Sequence, residues 1–481
     1  MFFLKCGRPT RFGPFGLLAA IILCLAVMSC DTPATLSAEW HHLSTANNDL
    51  EVPGISKQQT ACLVEDINRD GLNDFVIGSR KEGSSLVWYQ RVRSGWSRRV
   101  IEPETLPIEA GGASCDIDGD GDQDIVFGAD SSANEMWWWE NPFPSFERPW
   151  KRRQIKSGGA NKHHDQVCGD FDADGQAELA FWNQKAGTLF LAQVPANPGE
   201  VSPWPTTAIY STTARSEGLT ASDINSDGRV DLVGAGHWFE HLEGGSFQPH
   251  LIDESQTFTR VAAGQLKKGG WSEVVFVAGD GRGPLVWYER DGSSWVGHQL
   301  LEEPVNHGHS LQIMDFNADG NLDILCGEMR LHGKNEDAGL LIFFGDGQGS
   351  FQKQVIAQGF GVHEAKAADL DGDGDVDILG KPYDWETPRL DIWMNHMDQK
   401  KRTSLDGWKR HVIDADKPWK SVFVTAEDVN QDGLKDVITG GWWYENTGQE
   451  WTRHPIGDPL NNFAAAWDID RDGDVDLLGT T

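Results

Sequence analysis

Nine segments of this chain place acids, amides and a glycine at fixed offsets. They read DINRDGLND from 66, DIDGDGDQD from 116, DFDADGQAE from 170, DINSDGRVD from 223, QLKKGGWSE from 265, DFNADGNLD from 315, DLDGDGDVD from 369, DVNQDGLKD from 428 and DIDRDGDVD from 468. In eight of them oxygen-bearing side chains occupy positions 1, 3, 5 and 9, and glycine at position 6 permits a sharp turn. Such a set can converge on one hard cation, with a backbone carbonyl near position 7 filling the shell. Oxygen-only ligation of this count favours Ca²⁺ over transition metals and over Mg²⁺. The expected ligands in the first four loops are Asp66, Asn68, Asp70 and Asp74; Asp116, Asp118, Asp120 and Asp124; Asp170, Asp172, Asp174 and Glu178; and Asp223, Asn225, Asp227 and Asp231. In the last four they are Asp315, Asn317, Asp319 and Asp323; Asp369, Asp371, Asp373 and Asp377; Asp428, Asn430, Asp432 and Asp436; and Asp468, Asp470, Asp472 and Asp476. The copy at 265 keeps the glycine and the final acid but has lost the other ligands.

A second set of chemical groups lies upstream. The sixth residue before each loop is, in order, Thr60, Ala110, His164, Glu217, Thr259, His309, His363, Val422 and Asn462. Three histidines and a glutamate thus share one repeat position, with Lys162, His163, Asp165, His307, Glu364 and Lys366 close by. Histidine is the usual acid or base near neutral pH and a common ligand of a catalytic divalent metal. Three uses stay open for His164, His309, His363 and Glu217: a hydrated channel lining, a ligand or substrate site with a catalytic role, or an additional divalent metal.

The elements that must position these groups are strands. Each loop follows a short apolar run such as LQIM and precedes a β-branched run ending in glycine, such as DIVFG; an aromatic run and a fourth segment come next. The loop starts are separated by 40 to 59 residues, the length of one four-stranded propeller blade. The fold class expected is all-β, a multi-bladed β-propeller of four-stranded antiparallel blades. It would have eight complete repeats plus a composite or incomplete closing blade, with seven to nine blades possible. EWHHLST at 39–45 resembles a lone fourth strand that could share a blade with the last copy, and residues 31–481 read as one propeller domain. Innermost strands of a propeller surround its channel, so the histidine column should ring the channel mouth. Six strand residues span roughly 20 Å, which puts that column on the face opposite the calcium loops.

Composition bounds the rest. The formal charge of -32 leaves no basic stripe for phosphates and argues against nucleic acid as a partner. Of the 32 side-chain ligands, Asn68, Asn225, Asn317 and Asn430 are neutral and 28 are carboxylates, so eight Ca²⁺ would offset half of that charge. The N-terminus pairs Lys5, Arg8 and Arg11 with an apolar stretch of secretory-signal length, followed by Val27-Met28-Ser29-Cys30. That tetrapeptide resembles a bacterial lipobox, and lipidation at Cys30 would anchor the chain to the cell envelope; ordinary secretion is the alternative. Cys62, Cys115, Cys168 and Cys326 lie in strand-like runs far apart without CxxC spacing, and are expected to be buried small hydrophobes.

The repeated DxDxDGxxDLxxG set between short strands resembles the FG-GAP/VCBS repeat, the blade unit of the integrin α-subunit head and of many secreted bacterial proteins. That resemblance implies structural calcium, and ligand recognition by the loops on the face away from the metal. Those loops would contribute His237, Trp238, Glu328, Arg330, His332, Lys381, Tyr383, Asp384 and Trp385. The expected function is a calcium-stabilised, envelope-anchored, monomeric propeller that binds a glycan or protein ligand. The alternative is a carbohydrate-active lyase or dehydratase working by β-elimination at the histidine site.

Overall fold

Short β-branched and aromatic runs suit a pleated surface that is buried on both faces. Asp124–Gly128 and Asp231–Gly234 are accordingly buried along their whole length. The computed structural model describes residues 39–171, 175–397, 412–414, 424–430, 432, 434–448, 450–457, 462–467 and 475–480. The chain divides into two compact units, Met1–Asp398 and Gln399–Thr481. Cys30 with its leader segment, Asp172, Asp174, Asp468, Asp470 and Asp472 lie outside the described residues. Among the described residues no helix is long and apolar enough to cross a membrane.

The first unit is a β-propeller of seven four-stranded antiparallel sheets. The innermost strands are Gln58–Glu65, Ala113–Cys115, His163–Gly169, Thr220–Ser222, Thr259–Gly264, Ser310–Met314 and Lys366–Ala368. The aromatic third strands pack between blades. Trp88 and Trp139 share one buried cluster with Phe127, and Phe75 and Tyr89 share another with Leu379 and Ile392 of the seventh blade. A core spread along the seams in this way makes each blade depend on both neighbours.

Ring closure differs from the expectation. Glu39–Ser44 pairs antiparallel with Asp391–His396 and so completes the seventh blade, not the blade of the last copy. The clasp is polar as well as apolar: Asp391 accepts from Ser44 Oγ at 2.9 Å and from Arg389 Nε at 2.8 Å, and lies 3.0 Å from His42 Nε2. With seven repeats the ring is complete, and the last two copies fall in the second unit. That unit has its own four-stranded sheet, from Thr425–Glu427 to Trp451–Pro455, and a pair of strands, Asn462–Trp467 with Asp476–Thr480. One propeller domain over 31–481 is therefore replaced by two units.

Two of the four cysteines also differ. Cys115 and Cys168 form a disulfide between the innermost strands of blades two and three, while Cys62 and Cys326 are buried free thiols as expected. Sequence spacing could not show this bridge, because the chain between the two cysteines, 53 positions apart, folds into a blade that returns it to the same radius.

Candidate functional site at the channel mouth

Five residues of the upstream column come together. Ala110, His164, Glu217, His309 and His363 line one cavity of about 230 Å³, and Arg80, Lys162 and Tyr383 add to its wall. Thr60 and Thr259 do not join them; their hydroxyls donate to the carbonyl oxygens of Ile108 and Gln256, each at 2.8 Å. Val422 lies outside the described residues, and Asn462 starts a strand of the second unit. Of the resemblance-based loop residues, Tyr383 lines the cavity and Lys381 contacts His363. His237 and Trp238 instead pack on Tyr210 and His250, and Glu328 accepts backbone N–H groups from Asn306 and Gly339.

The organising group is Arg260, which sequence reasoning missed. It sits one position past the column, in the repeat whose loop has lost the acidic pattern. The same position holds Asp165 in the third repeat and Glu364 in the seventh, so reading the next column would have exposed the set. The Arg260 guanidinium lies 2.9 Å from Asp165, 3.4 Å from Glu217 and 2.7 Å from Glu364, joining carboxylates of three other blades. Asp165 and Glu364 reach it from left-handed backbone, with φ of 49° and 56°. Asp165 is also the extra residue of a bulge between His164 and Gln166. Such conformations cost about 1–3 kcal/mol each and persist where the surroundings enforce them. Gly218 (φ 80°) fits beside Thr259, where a Cβ would meet its carbonyl oxygen at 2.3 Å, and donates its N–H to Asp165 at 2.9 Å.

Protonation states diverge around this cavity. Burial works against a charged His164, but Asp165, 2.7 Å from its Nδ1, and Glu217 outweigh it and raise the imidazole from 6.5 to about 9. Burial, then His309 and Lys381, hold His363 well below its ordinary value. Lys381 is fully buried and donates to the carbonyls of Gln59 at 3.0 Å and His363 at 2.9 Å, with its third contact 3.2 Å away at His363 Nδ1. An ammonium can only donate, so Nδ1 of His363 accepts and its proton stands on Nε2. His309 stacks on His363 with ring centroids 4.2 Å apart, and its nitrogens lie 3.6 and 3.7 Å from Glu217 and Glu364.

These commitments do not fit a divalent ion among the histidines. One imidazole carries a proton on the nitrogen facing Asp165, another faces an ammonium, and Arg260 already supplies the cation that the carboxylates require. Among the described residues, the acidic and histidine groups whose ligand atoms lie within 4.8 Å of one another are instead Asp116, Asp118 and Asp120, and Asp369, Asp371 and Asp373. Both trios fit Ca²⁺ with side chains from loop positions 1, 3 and 5.

The position 9 carboxylates carry backbone hydrogen bonds. Asp124 accepts the N–H of Ile117 at 3.1 Å and of Asn141 at 2.8 Å; Asp323 accepts from Phe316 and Gly345, both at 2.8 Å. Asp231, Asp377 and Asp436 repeat the arrangement. These buried carboxylates tie the loop to the third strand by charge-assisted bonds. In the degenerate copy Glu273 keeps this role toward Lys267 N–H, and the Lys267 ammonium pairs with Glu289. A side-chain cation thus stands at loop position 3, where the other copies place an oxygen ligand.

Seven antiparallel sheets around a polar channel mouth define a β-propeller with a ligand-sized site on one face. Three of its segments, residues 116–181, 170–234 and 315–380, match the model of the FG-GAP-like repeat. Comparison with curated proteins gave no match. Among solved structures the chain is similar to BBS1N in complex with ARL6DN. The mercury-soaked form gives 13% identity over 74% of this chain and 96% of that one, TM-score 0.46; the lead-soaked form gives 14% over 71% and 93%, TM-score 0.46. It is also similar to the NanB sialidase of Streptococcus pneumoniae, with 11% identity over 72% and 70% and a TM-score of 0.39.

Proposed function

We propose that this protein is a calcium-stabilised propeller, anchored at the bacterial envelope through Cys30, that binds a glycan at the channel mouth. The observation that supports this most is the donor set of the cavity. Against its burial, Asp165 and Glu217 favour a protonated His164, His363 carries its proton on Nε2, and Arg80 and Lys162 stand with the acceptors Glu109, Glu217 and Asp280 around about 230 Å³. That volume lies below the range of drug-sized sites and suits a single sugar unit, rich in acceptor oxygens, better than a protein surface. The acidic trios at 116 and 369 support calcium, and the disulfide supports an oxidising compartment.

A second reading, β-elimination on a sugar acid, draws support from a protonated His164 beside a neutral His363, two proton affinities pushed apart at one site. However, Lys381 makes His363 a donor, which leaves His309 as the only imidazole of the column available as a base. Binding is therefore the reading adopted.

Calorimetric titration of graded acidic and neutral oligosaccharides tests it. Wild type should bind, and Arg80→Ala and His309→Ala should weaken binding about tenfold or more, the worth of one charge-assisted contact. Affinity should fall as pH rises through about 8 to 9, where Lys381 and His164 lose their protons. Mild EDTA dialysis should lower the melting temperature, and Ca²⁺ should restore it. An unsaturated sugar product made by wild type and lost in His309→Ala would replace binding with catalysis.

A further inference from the structure

We infer that Trp385 forms a second sugar subsite beside the cavity, so that the ligand is a chain of at least two sugar units and not a monosaccharide. This deepens the glycan reading above and rests on it. Trp385 is 38% exposed, whereas Trp88, Trp138, Trp139, Trp182 and Trp238 are buried. Its place on a loop of the cavity wall, and not exposure by itself, suits this indole to stacking on a ligand.

Its support is rigid. The loop that carries Lys381 and Tyr383 continues to Trp385, whose backbone lies at most about 7 Å from that of Tyr383 in the cavity wall. The neighbouring loop of blade six lines the same cavity through Met329 and Leu331, then passes beneath the indole at Gly333. A Cβ at Gly333 would meet the ring carbons at 2.7 Å, so only glycine permits this contact. Arg330 places its guanidinium 5.5 Å from the ring centroid and is anchored to the carbonyls of Gly359 at 2.9 Å and Gly333 at 3.2 Å. Asp384 pairs with the His332 ring and accepts the His332 N–H at 2.9 Å, which locks the two loops together.

The surroundings select the occupant. The chain neighbours Asp384 and Glu386, and Arg330 across the ring, put charged hydrogen-bonding groups around Trp385. A flat apolar face rimmed by charged donors and acceptors matches a sugar ring, which offers C–H groups on one face and hydroxyls around its edge. One unit in the cavity and the next on Trp385 is the arrangement that both features allow together.

The test uses the full chain on an array of acidic and neutral oligosaccharides printed at one, two and four units. Wild type should prefer the longer members about tenfold. Trp385→Ala should erase that preference without changing binding of the single unit, and Trp385→Phe should keep most of it. An unchanged melting temperature in both variants would show that the loop remains folded. Equal binding of all lengths by wild type, or length preference kept in Trp385→Ala, would overturn the subsite while leaving the cavity reading intact. Binding to no member would overturn both.

Discussion

Arg260→Leu should destabilise the protein by about 3–5 kcal/mol, the range for removing one partner of a buried ion pair. The variant leaves Asp165, Glu217 and Glu364 facing one another without their shared cation, and all three are buried. In the native protein burial would raise the carboxyls of Asp165 and Glu364, but Arg260 outweighs it and holds both well below the usual carboxylate range. Depressed carboxylates stabilise the fold above their unfolded pKa and lose that contribution as pH falls. In Arg260→Leu the sign reverses for the carboxyls left without a close cation, Glu364 before Asp165, which keeps His164; they gain protons on folding, so the variant should recover part of its loss as pH is lowered from 7 toward about 4. Arg260→Lys should be intermediate, since an ammonium lacks the fork that reaches several carboxylates at once. Chemical denaturation of the three proteins across this pH range checks the claim. A loss under about 1 kcal/mol in Arg260→Leu, flat with pH, would mean that the network contributes little to holding the channel closed.

The second large effect is expected at Cys115–Cys168. The bridge closes a loop of 53 residues, for which chain entropy alone gives about 4 kcal/mol, with measured values for such bridges usually about 2–4 kcal/mol. Both cysteines lie immediately upstream of acidic loops, at 116 and 170, and join the innermost strands of adjacent blades. Cys115→Ser with Cys168→Ser should therefore lower the denaturant midpoint to that of the reduced wild type. It should also make blades two and three the first to lose amide protection in hydrogen exchange. Wild type that shows the same midpoint with and without reductant would count against any stabilising role for the bridge.

The candidate site was half visible in the chain. His164, His309, His363 and Glu217 share a repeat position, so counting along the sequence brought them to one end of the innermost strands before any coordinates. Arg260 escaped because the repeat that supplies it looks degenerate, and because its partners Asp165 and Glu364 stand one place off the histidine column. The position 9 carboxylates match a calcium pattern, and the chain alone did not show that their oxygens also accept from backbone donors well downstream in the sequence, as Asp323 does from Gly345. Ligand-type residues reveal which atoms are available, not which neighbours reach them first.

What the sequence determined by itself was whatever repeats or is local: strand character, the acidic turns with their glycine, blade length, and the shared register of the histidines. These follow from side-chain alternation and turn stereochemistry within some fifty residues. Only the tertiary structure decided that the ring closes at seven blades, that Glu39–Ser44 pairs with Asp391–His396, that Cys115 meets Cys168, and that one guanidinium serves three carboxylates. Each of those depends on which distant segments arrive at the same place. That is set by packing all the blades together at once, and no single segment records it in its own periodicity.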